Sequence, residues 1–432
     1  MTDPSGSGAV AAKSGTGPAR DRRRIAVAFT WVLVITLLLV TGYVLTAIGI
    51  PYATTAGPMV AKVHPASYMA LATVLLWGWA EGGIGGFVGR VAITRPGLVA
   101  FGLATLLLLF QTAVVVRLPI TPVVDTFVLA LLLFVAIDAT DEPERERLAT
   151  FLHAIMALNA LLALVEYASG WRLTPLFEAN GTVMTYEWRA SALFGHPLLN
   201  AFVTGNYLVM LAFGAATRLS PLHRAALMGL SALALIAFGG RVAMVVAMAM
   251  VGVAGLFGAV RMLAGHRVKI DHVVFAIMAV SVAVIFVVIF VDVGAADRFL
   301  DRFSNDYGSA RTRLSMLRIF GDLTWEQFLL WPDPELIVQA QREYSIRIGV
   351  ESSEVGFVAN YGLVVTIVFF VGLATLMREL VAATSARALW SIFYFVAVMS
   401  TSLGIAAKTT VLAVFVLFIL VLVPRSHPRR SP

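Results

Sequence analysis

Residues 355–377, VGFVANYGLVVTIVFFVGLATLM, run for 23 positions without a charged side chain. As a helix rising 1.5 Å per residue, such a run reaches about 34 Å and crosses a hydrocarbon layer of about 30 Å. Directly before it, residues 294–354 carry seven arginines and ten acids. The chain therefore alternates between stretches that belong in lipid and one that belongs in water.

Working outward, similar apolar runs lie at 25–49, 66–80, 98–116, 122–138, 149–169, 197–216, 222–238, 242–263, 272–293, 388–404 and 408–423. With 355–377 they predict an all-α polytopic membrane protein of about twelve transmembrane helices. The composition agrees: 59% hydrophobic and 13% charged residues, with a mean hydropathy of +0.87, leave too little polar surface to cover a water-soluble core. The runs at 66, 222 and 408 are short, which makes the turns at 239–241 and 406–408 the least defined.

Basic residues near helix ends are retained in the cytoplasm. With the N-terminus inside, 19 of the 32 lysines and arginines fall on that side, among them Arg20 to Arg24, Arg95, Arg145, Arg224, Arg387 and Arg425. The short outer loops keep Lys62, Arg117, Arg172, Arg189, Arg241 and Lys408. Both termini are thus expected in the cytoplasm and 294–354 outside. The expected organisation is a disordered tail at 1–24, helices 1–9 at 25–293, a large extracytoplasmic loop with short amphipathic helices at 294–354, helices 10–12 at 355–423, and a tail at 424–432.

The net charge of +7 follows from this topology and gives no support to a nucleic-acid partner. Without cysteine, disulfide and thiol chemistry are excluded. The chain has no Gly-rich phosphate loop and no HExxH motif, and no metal or other cofactor is expected. Within the runs, Asp125, Asp138 and Glu166 sit near the ends, where they are expected to reach water. His153 and Asn159 are read as packing groups.

Polar chemistry concentrates on the outer side. Arg189, in WRASALFGHP (188–197), offers five donors suited to phosphate oxygens or an interfacial anchor; His196 titrates near neutrality or starts a helix. Gly239 and Gly240 allow a sharp turn and a close approach, with Arg241 at the mouth of the bundle. Over Ser309 to Gly321 a helix is expected, with Arg311, Ser315 and Arg318 on one stripe and Arg313 on the other side. Those arginines clamp a diphosphate or pair with Asp301, Asp306 or Asp322. A second amphipathic helix is expected over Glu335 to Ile348, with Ile337, Ala340, Tyr344 and Ile348 on one face. Glu351 and Glu354 serve as a base at the water boundary or as N-terminal helix residues.

The ordered set of Arg189 to Pro197, Gly239-Gly240-Arg241, Ser309 to Arg313 and the Asn360-Tyr361-Gly362-Leu363 helix entry resembles the O-antigen ligase and polymerase superfamily (Wzy-type). It covers residues 188–377. Ligases of that superfamily carry a His near the end of the long outer loop. Glu351 and Ser352 stand there in this chain, so the resemblance is closer to exopolysaccharide polymerases of the VpsF kind. It implies a GT-C-like glycosyltransferase of the bacterial inner membrane, metal-independent, that transfers a glycan from a polyprenyl-diphosphate carrier to a sugar hydroxyl. The implied catalytic residues are Arg189, His196, Glu351 and Glu354, and the implied diphosphate-binding residues are Arg241, Arg311, Arg313 and Arg318. The implied partners are a lipid-linked oligosaccharide, membrane lipids, and polysaccharide-export or chain-length proteins. The alternatives are O-antigen ligase-type transfer and a lipid-linked glycan flippase or transporter.

Overall fold

The computed structural model describes residues 17–52, 57–176, 189–215, 219–265, 316–344, 346, 352–401 and 404–425. Among these there is no strand, and the regular elements are all helices. In order, the helices are α1 (Gly17–Leu39), α2 (Gly42–Ala47), α3 (Pro65–Ala80), α4 (Ile84–Thr94), α5 (Pro96–Val115), α6 (Thr121–Asp138), α7 (Glu142–Ser169) and α8 (Pro197–Ala212). They continue with α9 (Pro221–Phe238), α10 (Arg241–Leu263), α11 (Trp325–Leu329), α12 (Pro334–Glu343), α13 (Ser353–Tyr361), α14 (Leu363–Ala383), α15 (Ala388–Met399) and α16 (Val411–Leu422).

Six of these, α5, α6, α7, α9, α10 and α14, are long and apolar enough to cross a membrane. The pair α3 and α4, bent by 102° at Glu81-Gly82-Gly83, makes a seventh if counted as one span. The expected run at 272–293 lies outside the described residues. The runs at 197, 388 and 408 become the shorter apolar helices α8, α15 and α16. A helix of 12 residues reaches only about 18 Å, yet every residue of α16 is buried. Enclosed by protein, it does not need to match the thickness of lipid.

Three further differences from the sequence reading have physical causes. First, α1 begins at Gly17, so Arg20 to Arg24 are helical, eight positions ahead of the apolar run. Second, residues 84–94 form a helix instead of a loop, with Phe87 buried and Ile84, Val88 and Ile93 exposed on an amphipathic surface. Third, the run at 355–377 is broken at Gly362. There φ is +80°, and a Cβ would stand 2.8 Å from the carbonyl oxygen of Leu329. Glycine alone fits both the dihedral and the approach. Gln111, in the π-helical end of α5, donates to the Leu330 carbonyl at 2.9 Å and so fixes α11 over the break.

Small residues let helices approach closely where no hydrophobic drive separates protein from lipid. On α5 and α14, a Cβ at Gly372 would meet that of Ala104 at 2.4 Å, and Thr375 donates to the Gly97 carbonyl at 2.8 Å. Between α1 and α3, Trp77 donates to Thr30 at 3.1 Å.

The helix directions define two ends. One, the Arg-rich end, gathers the start of α5, the end of α6, the start of α7, the far half of α14 and the chain after α16. Asp138 is its hub. Arg95 binds it bidentately at 3.1 Å through Nε and a terminal nitrogen, Arg425 lies at 2.9 Å and Arg145 at 3.6 Å. Arg95 also reaches Glu379 at 3.8 Å, whose other oxygen accepts the Gly97 N–H at 3.0 Å. Arg145 donates to the carbonyls of Ile137 and Asp138 at 2.8 and 3.2 Å, where the α6 dipole leaves partial negative charge. Asp138 therefore does not reach water; it is buried among cations from elements far apart in sequence. Arg23, Arg224 and Arg387 lie at the same end, through Asp141 and the end of α8. Arg23, Arg95, Arg145, Arg224, Arg387 and Arg425, grouped on one side in the sequence reading, thus meet at one physical end of the bundle.

Asp138→Asn leaves three guanidinium groups around a neutral amide in a nearly buried site. Removing one member of such a set costs about 3–5 kcal/mol. The variant is expected to lose its monodisperse elution at a clearly lower temperature than the parent in a fluorescence-detected heating series.

Candidate functional site

At the opposite end, hereafter the loop end, residues 189–196 are folded down onto the bundle. Glu166, three residues before the end of α7, accepts N–H groups from Leu173 at 2.9 Å, Ser191 at 2.7 Å and Ala192 at 2.9 Å. Asn159, two turns earlier, accepts from Leu193 N–H at 3.0 Å. Asn200 of α8 donates to the carbonyls of Ser191 and His196 at 2.5 and 3.0 Å. The remaining N–H in the series, Ala190, donates to the Ala237 carbonyl at 3.0 Å, near the end of α9. Side chains of α7 and α8 thus take over the work of secondary structure. The loop is accordingly buried, with Ala190, Ser191, Ala192 and Phe194 at most 2% exposed. Ala192 is held at φ +38°, an uncommon conformation for a residue with a Cβ.

Glu166 and Asn159 were expected to be a water-facing end group and a packing group. Both are fully enclosed, and they build the loop that carries Arg189 and His196. Sequence reasoning missed this because their partners are backbone N–H groups, which leave no side-chain signature.

The Ala190–Ala237 bond brings Arg189 beside the turn after α9. Gly239 closes α9 in the left-handed conformation at φ +61°, and Gly240 lies so close to α8 that a Cβ there would meet that of Ala201 at 2.4 Å. Arg241 follows as the first residue of α10. Arg189 and Arg241, 52 positions apart in sequence, therefore share one mouth, and both are half-buried. Arg172 joins them by donating to the Arg189 carbonyl at 3.1 Å. His196 caps α8: its Nδ1 accepts the Leu198 N–H at 3.3 Å, and its ring stacks on Tyr43 at 5.5 Å and 20°. The helix-start reading of His196 is realised.

Beside the Tyr43–His196 stack, an apolar cleft of about 340 Å³ opens between α1, α2 and the 173–175 stretch, lined by Leu39, Val44, Ile48, Leu173, Pro175 and Leu193. A fourth member of the expected set arrives from the C-terminal half. Tyr394 of α15 lies 3.4 Å from the Ala201 carbonyl and 3.3 Å from that of Ala243, so α15 rises between α8 and α10. It delivers Ser400, which donates to Glu354 at 2.6 Å, while Ser352 donates to the other carboxylate oxygen at 3.0 Å. Glu354 occupies the first turn of α13 and is exposed.

Arg318 belongs to a separate small unit that packs on α13. It is exposed on a 3-10 turn, Leu317–Asp322; residues 309–315 of the helix expected over Ser309 to Gly321 lie outside the described residues. That turn packs with α12 around Met316, Ile319, Ile337, Ala340 and Ala359. The apolar face expected on the second amphipathic helix is present at Ile337 and Ala340, but the helix ends at Glu343. Tyr344 then donates to Asp322 at 2.8 Å, closing the small unit over α13. Arg311, Arg313 and Glu351 lie outside the described residues.

A second corner of the loop end went unread in the sequence. Asp125, fully buried, accepts from Tyr52 at 3.0 Å, Ser67 at 2.8 Å and the His64 N–H at 2.9 Å, and pairs with Lys408 at 3.7 Å. The Lys408 ammonium also lies 3.4 Å from the Tyr52 ring centroid and donates to the Tyr52 carbonyl at 2.8 Å. Burial holds the His64 imidazole below its ordinary range, against the opposing pull of Asp125, and pushes the Tyr52 phenol up. This corner joins the segment after α2 to the turn before α16.

Set against models of known protein families, characterised proteins and solved structures, the chain matches none. The site is therefore read from its own geometry.

Burial brings the Lys408 ammonium down to about 8, with the Asp125 carboxylate opposing. An ordinary lysine sheds its proton near pH 10.4, so the reactive free amine of Lys408 appears about two pH units earlier. Acylation of Lys408 by a small amine reagent, followed by peptide mass spectrometry, is expected to rise with pH and reach half-maximal rate near pH 8.

Proposed function

We propose that this protein is a glycosyltransferase of the membrane, a polysaccharide polymerase that takes its glycan from a polyprenyl-diphosphate carrier. The observation that supports the reading is the backbone bond that brings the segments of Arg189 and Arg241 together at the loop end, where an apolar cleft also opens. A carrier lipid presents an apolar tail, a diphosphate and a sugar chain in that order. The apolar cleft and the two arginines at the loop end supply partners for the first two of these.

In the reaction, an acceptor sugar hydroxyl attacks the anomeric carbon while the bond from that carbon to the diphosphate oxygen breaks. The polyprenyl diphosphate departs with the electron pair. Arg189 and Arg241 offset the charge that grows on it, as positioned cations do when they are in place before the step begins. The hydroxyl proton passes to a nearby base, and His196 and Glu354 are the candidates among the described residues. Arg311, Arg313 and Glu351 belong to the proposal on sequence grounds alone. Arg318, exposed on its turn, has a lesser role, in guiding the sugar chain.

The same reading includes a twelve-helix, GT-C-like architecture in the bacterial inner membrane, with the Arg-rich end and both termini in the cytoplasm and the loop end outside. Glu351 and Ser352, in place of the ligase histidine, favour a polymerase over a ligase. Against a coupled transporter or flippase stands the placement of the buried acids. Asp125, Asp138, Glu166 and Glu379 lie at the ends of the bundle, each already satisfied by local partners. A coupling path needs such groups along its length.

Loss of one charge-stabilising donor costs about 10²–10³ in rate. Cells lacking the gene and complemented with Arg241→Ala at normal protein level are therefore expected to accumulate single repeat units on the lipid carrier, resolved by size on a gel. Arg318→Ala should retain most of the polymer. Full-length polymer with Arg241→Ala would remove that residue from the site.

A further inference from the structure

At the Arg-rich end, α8 stops at Ala212 and the chain turns through Gly214, at φ +79°. Two guanidinium groups close on this turn. Arg224, from the first turn of α9, donates to the carbonyls of Leu211 and, at 3.1 Å, Ala212. Arg387, immediately before α15, donates to the Gly214 carbonyl at 2.8 Å. A Cβ at Gly214 would stand 3.9 Å from a terminal nitrogen of each, so the two cations border a single residue.

Among the described residues neither has a carboxylate partner. This sets them apart from Arg95, Arg145 and Arg425, which share Asp138. The end of α8 contributes about half a negative charge through its exposed carbonyls, too little to balance two full positive ones. Each guanidinium has five N–H donors, and the three bonds to carbonyls leave most of them available. Arg387 itself is exposed and Arg224 half-buried, so an anion can reach them.

Beside the cations, Phe213 stacks on Trp390 at 4.0 Å and 12°, with Phe257 edge-on to the same indole at 6.3 Å, and tryptophan is enriched at headgroup depth. From there α15 presents Leu389, Phe393 and Val396, each between 53% and 62% exposed. Their spacing of four and three residues places them on one stripe leading away from the cations.

We propose that Arg224 and Arg387 form a phosphate site that holds the headgroup of an anionic phospholipid, with an acyl chain lying along Leu389, Phe393 and Val396. A free phosphate ion would use only the cations, whereas a phospholipid also covers the stripe that continues from them. The site is at the opposite end from the proposed catalytic mouth and does not depend on that activity. It anchors the junction of α8, α9 and α15, the helices that position Arg189, Arg241 and Ser400.

The test is native mass spectrometry of the full-length protein in detergent, with three probes: phosphatidylglycerol, a phosphate-free galactolipid with the same acyl chains, and inorganic phosphate. The parent is expected to retain phosphatidylglycerol and to release the galactolipid. Arg387→Gln, at an exposed position, should weaken retention about tenfold, the effect of losing one charge-assisted contact of ordinary strength. Arg387→Lys should recover part of it, and Arg224→Gln with Arg387→Gln should abolish it. Phosphatidylglycerol should also raise the melting temperature of the parent but not of Arg387→Gln. Equal retention by parent and Arg387→Gln, or equal retention of the galactolipid, would overturn the site. Inorganic phosphate stabilising the parent as well as phosphatidylglycerol does would show a free-anion site and overturn the lipid assignment.

Discussion

The loop end depends on one carboxylate. Glu166 is 2% exposed and has no basic side chain within ion-pair distance among the described residues. Burying a carboxylate in this way costs several kcal/mol. Three backbone N–H groups offset that cost, since hydrogen bonds to a charged group contribute about 1.5–3 kcal/mol each. The arrangement works only if residues 173 and 191–192 turn their N–H groups toward the end of α7 together. That requirement folds the segment before α8 inward and places Arg189 at one edge of it and His196 at the other. With the Glu166 side chain removed, those N–H groups would lose their acceptor, and the loop would lose its floor.

The same logic recurs along α6, which carries a buried acid at each end. Asp125 is satisfied by Tyr52, Ser67, His64 and Lys408; Asp138 is satisfied by Arg95, Arg145 and Arg425. Both hubs recruit elements distant in the chain, and each lies where a helix end meets water or headgroups. Between them the bundle is apolar and closely packed, with α16 wholly enclosed and small residues setting the separation of α5 and α14. Charge therefore ties the ends while packing fills the middle.

Much of the architecture was legible in the sequence because hydrophobic length is a direct measure of what can enter a bilayer. The runs that became α5, α6, α7, α9, α10 and α14 were visible for that reason. The bend after α3 was not, because Gly82 and Gly83 show only that a turn is allowed and not that a second helix follows. Nor was the break at Gly362, where residues 355–377 read as uniformly apolar. Its cause is the approach of Leu329 from another segment. The fate of Asp125, Asp138 and Glu166 was misjudged on similar grounds. Proximity to a run end suggests water, but partners such as Lys408 and Arg425, nearly 300 residues away, decide burial. Of the candidate site, Arg189, His196, Arg241 and Glu354 were chosen for their chemistry, and the fold gathers them at one end. What joins the two arginines is a backbone bond between two alanines, which carries no trace in composition or pattern.

That bond is also the place to test the account. Because the chain contains no cysteine, a single pair can be introduced at Ala190→Cys and Ala237→Cys without a background to remove. The N–H and C=O of these residues lie 3.0 Å apart, and both side chains are buried. Mild oxidation of the protein in membranes is expected to cross-link the pair efficiently, seen as a change in gel mobility that a reductant reverses. Absence of a cross-link, with the thiol introduced by Ala190→Cys instead modified freely by a bulky water-soluble maleimide, would contradict a loop folded onto the bundle and separate Arg189 from Arg241.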